Sequence, residues 1–74
     1  MALSNPQFPT GPVTEMPSGF VPDEAQALLL RNALAQAGVE LGEYDERMVK
    51  WLAGWDWQTV ATIGSWIGRA AGNR

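Results

Sequence analysis

The sequence predicts an all-α fold, a small three-helix bundle preceded by an extended proline-rich arm. Three observations predict it. Three segments carry the i, i+3, i+4, i+7 apolar rhythm of a helix with one buried face, over about residues 22–37, 43–53 and 57–71. The connections between them are short, which favours neighbouring antiparallel helices. No stretch alternates apolar and polar residues in the manner of a strand.

The arm comprises residues 1–21. Pro6, Pro9, Pro12, Pro17 and Pro22 recur every few positions, with Gly11 and Gly19 between them. Proline lacks an amide donor and fixes φ, so this spacing excludes a helix interior or a central strand and leaves extended, polyproline-like chain. A solvated tail is the ordinary fate of such a segment. Phe8, Val13, Met16, Phe20 and Val21 are more apolar than a tail requires, and suit an arm laid along a partner with each side chain in its own pocket.

Residues 22–74 form the bundle. Pro22 suits the first helical position, and Asp23 and Glu24 follow at the positive end of the dipole. Leu29, Leu30, Ala33, Leu34 and Ala37 share an arc of this helix, which Gly38 should stop. Leu28 points elsewhere, toward the arm at Phe20 or Val21 or into solvent. Val39 and Leu41 tuck in from the connector.

The second helix offers Tyr44, Met48, Trp51, Leu52 and Trp55 as its buried stripe. Glu43 with Arg47, and Glu46 with Lys50, are i,i+4 pairs in the favourable order on a solvated face. A corner follows. Gly54 has the composition of a left-handed helix terminator, Asp56 that of an N-cap, and Trp55 and Val60 stand at the spacing of a hydrophobic staple.

The third helix presents Val60, Ile63, Gly64, Ile67 and Ala71 on one face. Gly64, Gly68 and Gly72 add a ladder of small residues along which another helix, inside the chain or outside it, can approach closely. Trp66 lies at the edge of this arc. It is either half-buried beneath another part of the chain or an interface anchor, a role in which tryptophan is enriched. Gly72-Asn73-Arg74 should fray.

Composition narrows the function. The 74 residues allow one small domain, and with no cysteine there is neither a disulfide framework nor a thiolate zinc site. With no histidine either, the two most versatile catalytic side chains are missing. Glu43, Asp45 and Glu46 lack the spacing of a calcium or magnesium loop, and the helix dipole already accounts for them. No cofactor, metal site or catalytic activity is expected. The net charge of −3 and the scattered Arg31, Arg47, Lys50, Arg69 and Arg74 disfavour nucleic acid as a partner. No charged segment leads into an apolar signal core and no stretch would span a membrane, so the expected location is cytoplasmic or within a virion.

The run from Tyr44 to Arg69 resembles small uncharacterised helical proteins of actinobacteria and their phages. In these a Tyr-Asp segment leads into Trp-Leu-Ala, here Trp51-Leu52-Ala53. Then come Trp-Asp, Thr-Val-Ala and a Ser-Trp-Ile-x-Arg ending, here Ser65-Trp66-Ile67-Gly68-Arg69. The resemblance covers roughly residues 38–71, and implies a phage-related source without defining any catalytic residue.

Together these readings point to a non-catalytic accessory protein that docks on a larger protein assembly, such as a phage capsid or tail. Phe8, Val13, Met16 and Phe20 are the expected anchors of the arm, with Trp66, Gly64 and Gly68 as a second contact. Homo-oligomerisation through the glycine face is a further use of the ladder. The alternative is a small DNA-binding regulator, with helix 57–71 as the recognition helix of a helix-turn-helix and Gln58, Thr62, Ser65 and Arg69 toward the groove.

Overall fold

The structure, a computed structural model, describes residues 6–72. It contains three α-helices, α1 (Asp23–Gln36), α2 (Glu43–Ala53) and α3 (Trp57–Gly72), and no strand among the described residues. The all-α class and the three helix positions are as the sequence predicts. Helix α1 is the central element and packs against both α2 and α3. Residues 1–5 of the arm, and Asn73 and Arg74 of the tail, lie outside the described residues.

Pro22 stands one position outside α1, as its N-cap, where its carbonyl accepts from the Gln26 amide at 2.9 Å. The far end closes as expected on Gly38, whose φ of 81° is left-handed. The Val39 amide donates to Leu34 O at 2.9 Å and the Gly38 amide to Ala35 O at 3.0 Å, the paired bonds of a Schellman motif. Gly42 precedes α2, and the Asp45 carboxylate accepts from its backbone amide at 2.9 Å. Glycine has no side chain to return that bond, so only this half of a capping box forms.

The corner between α2 and α3 departs in part from expectation. Asp56 caps α3, its Oδ1 accepting from the Thr59 amide at 3.1 Å. Gly54, however, has φ −81° and ψ −6°, which is right-handed. The helix ends instead by tightening, with the amides of Gly54 and Trp55 donating to the carbonyls three residues back, Trp51 and Leu52, at 3.1 and 3.0 Å. Val60 is fully buried, whereas Trp55 is 50% exposed and meets Trp51 edge-on with ring centroids 5.7 Å apart.

Two core clusters form. Ala27, Leu30, Val49, Ala53 and Val60 make one, and Val21, Trp57 and Ala61 the other. Phe8 of the arm packs against both. Val21 thus belongs to the core rather than to the arm that the sequence placed it in.

The buried face of α2 is the main correction. Tyr44, Met48, Trp51 and Trp55 are exposed, and Val49 and Ala53 are buried in their place, with Leu52 half-buried. The small Ala53 lets α1 approach closely, and Gln26 uses that proximity. Its Nε2 donates to the carbonyls of Ala53 at 2.8 Å and Trp55 at 2.9 Å, tying α1 to the corner from a fully buried position. Gln26 Oε1 is enclosed without a hydrogen-bond partner among the described residues. Glu46 is likewise redirected, and pairs across the helices with Arg31 at 2.8 Å instead of along its own helix with Lys50.

Candidate functional site

The arm does not leave the bundle. It crosses α3, and its first anchor is internal. The Phe8 ring lies over Gly64, where a Cβ would overlap its Cε2, Cδ2 and Cζ atoms. It also stacks on Trp57, with centroids 5.8 Å apart and planes 26° from parallel. Gly64 therefore does serve close approach, and what approaches is the chain's own arm. Phe8 and Gly64, both expected to face a partner, face each other.

The remaining predicted contacts divide. Gly68 is exposed, with nothing within 4 Å of its Cβ position, and opens a groove shared by Pro9, Gly11, Asn32 and Arg69. Past that groove the arm runs along the outer side of α3, where Val13, Met16 and Pro17 line a second groove of ≈ 560 Å³ with Thr62, Ile63 and Trp66. Met16 is 73% exposed, Phe20 85% and Trp66 57%, whereas Val13 is half-buried. Trp66 is not half-buried beneath another part of the chain. It lies about 180° around α3 from Trp57, on the side away from the core.

Helix α3 buries Trp57, Val60, Ala61, Gly64 and Ser65, and leaves Ile63 and Ile67 half-buried. Sequence reading missed Trp57, Ala61 and Ser65. Trp57 is the first residue of the helix, where the apolar period has no preceding turn to register it. Ser65 reads as polar surface, yet is fully buried and accepts a hydrogen bond from Arg69 Nε at 3.0 Å. Of the other residues expected toward a DNA groove, Thr62 donates its hydroxyl to Gln58 O at 2.7 Å.

Two of the three acids at the start of α2 are engaged, Asp45 by the Gly42 amide and Glu46 by Arg31. Among the described residues no group of three or more His, Cys, Asp or Glu side chains is disposed to hold a metal ion. No described helix is long and apolar enough to cross a membrane. In comparisons with protein-family models, curated proteins and solved structures, no match to this chain was found.

Proposed function

We propose that this chain is a non-catalytic accessory protein that docks on a larger protein assembly through its N-terminal arm. The observation that carries the reading is the division of labour along the arm. Phe8 fastens it to the bundle through Gly64 and Trp57, while Met16 and Phe20 stay outside, at 73% and 85% exposure, with Trp66 beside Met16. An arm held at Phe8 and again at Val21 presents the apolar side chains between them with less conformational entropy left to lose on binding. Large apolar groups near a groove are the usual anchors of a protein interface. A phage capsid or tail is the assembly suggested by the resemblance of residues 38–71 to small phage and actinobacterial proteins.

The alternative of a DNA regulator gains nothing from α3, since Ser65 is enclosed and Arg69 is directed onto it. The test is a comparative capture from lysate of the source, using the native chain, a Met16→Ser/Phe20→Ser variant and a Trp66→Ser variant. Docking through the arm predicts one abundant protein partner, lost with the first variant, weakened with the second and insensitive to salt. A partner retained by all three chains, or nucleic acid released steeply as salt rises, would sink the proposal.

A further inference from the structure

The arm leaves an aromatic face of α2 uncovered. Tyr44, Met48 and Trp51 follow one another on α2 at intervals of four and three residues, the spacing of a heptad seam, and Trp55 extends the patch just past the helix end, edge-on to Trp51. They are 67%, 40%, 62% and 50% exposed. Beside Met48 the bundle has a largely apolar dimple of ≈ 220 Å³, lined by Leu30, Leu34, Leu41, Leu52 and Ile67 together with the carboxylate-bearing Asp45. The seam and the dimple share Met48 as their common edge.

We propose that this face is a self-complementary interface between two copies of the chain, their α2 helices antiparallel about a two-fold axis, with Trp51 of each copy seated at the dimple of the other. Four properties select a second copy as the occupant. A heptad seam packs best against a helix with the same spacing, and this chain supplies one. A two-fold contact requires knob and hole on the same patch, and both are present here. In the first turn of α2 Glu43 and Asp45 are exposed while Glu46 is paired with Arg31, and the last turn carries Lys50. Antiparallel pairing sets acidic turn toward basic turn and opposes the helix dipoles, whereas parallel pairing would set like beside like. The fourth property is area. Three aromatics at these exposures and one methionine offer on the order of 500 Å² per copy, or about 1,000 Å² in all, the lower bound of a specific interface. The dimer is therefore weak, and its population depends on concentration. It is independent of the docking role of the arm.

Sedimentation equilibrium on the full chain, from about 1 μM to 1 mM, tests the proposal. The expected result is a monomer–dimer equilibrium in that range, weakened at least about 30-fold by Trp51→Glu, as for removal of an interface hot spot. Tyr44→Glu and Met48→Lys provide the same readout at two further exposed sites, and circular dichroism selects the variants that keep native helix content. Met16→Ser/Phe20→Ser should dimerise as the native chain does. A native chain monomeric throughout, or a dimer equally strong in every folded seam variant, would overturn it. The second result would move self-association to the Gly68 groove or to exchange of the arm.

Discussion

Gly64 and Phe8 form a lock whose sign can be reversed. With Phe8 in place, Gly64→Ala drives a methyl group into the ring and should destabilise the fold by about 1–3 kcal/mol, the usual range for overpacking. With Phe8→Ala the obstruction is gone. The same Gly64→Ala change should then stabilise by up to about 1 kcal/mol, the helix preference of alanine over glycine. Urea unfolding of the four chains of this cycle measures both arms. Equal effects of Gly64→Ala in the two backgrounds would mean that the ring does not rest there. Gln26 makes a second residue-scale case. Gln26→Leu removes the donor to Ala53 and Trp55 but also the unpartnered Oε1, and should cost about 1–3 kcal/mol net. Gln26→Glu keeps the shape and turns the donor into an acceptor facing two carbonyls, so it should be the less stable of the two at neutral pH. Neither residue's role was legible beforehand. A lone glutamine in a helix scores as surface, and a glycine ladder announces close approach without naming what approaches.

At the scale of elements, the helix ends were the most legible part of the chain, because a cap is a local matter of backbone chemistry. Gly38 and Gly54 look alike in sequence and differ in conformation. Only Gly38 has a positive φ, so Gly38→Ala should cost about 1–2 kcal/mol. Gly54→Ala meets only ordinary contacts, Trp51 O at 3.4 Å being the nearest, and should be close to neutral. Asp56→Ala removes the α3 cap and should cost about 1 kcal/mol, and thermal unfolding ranks the three substitutions. The face of α2 was not legible. Its largest side chains define one arc and its core contacts another, on the side of Val49 and Ala53. Periodicity reports that a helix is amphipathic, but where two apolar arcs coexist it does not say which meets the rest of the chain. The choice fell to the arc of smaller residues, against which Leu30 and Gln26 can close.

At the scale of the whole molecule, the arm belongs to the fold. The two core clusters are small, and Phe8 is the partly buried residue that packs against both. A chain of 74 residues has roughly 4–11 kcal/mol of stability to draw on, so one aromatic contact is a large share. Truncation of residues 1–20 should therefore lower stability by about 2–4 kcal/mol, below the full cost of deleting an enclosed phenylalanine because Phe8 is only half-buried. Phe8→Ala in the intact chain should reproduce most of that loss. Met16→Ser/Phe20→Ser should change it by no more than about 0.5 kcal/mol, the usual scale for exposed positions. The three measurements separate holding from display. If truncation costs far more than Phe8→Ala, the arm is fastened along its length, and a matching loss in Met16→Ser/Phe20→Ser would mean that these two serve the fold. If truncation costs no more and the double variant is neutral, their apolar surface does nothing for the bundle that carries it, which is the condition the docking proposal requires.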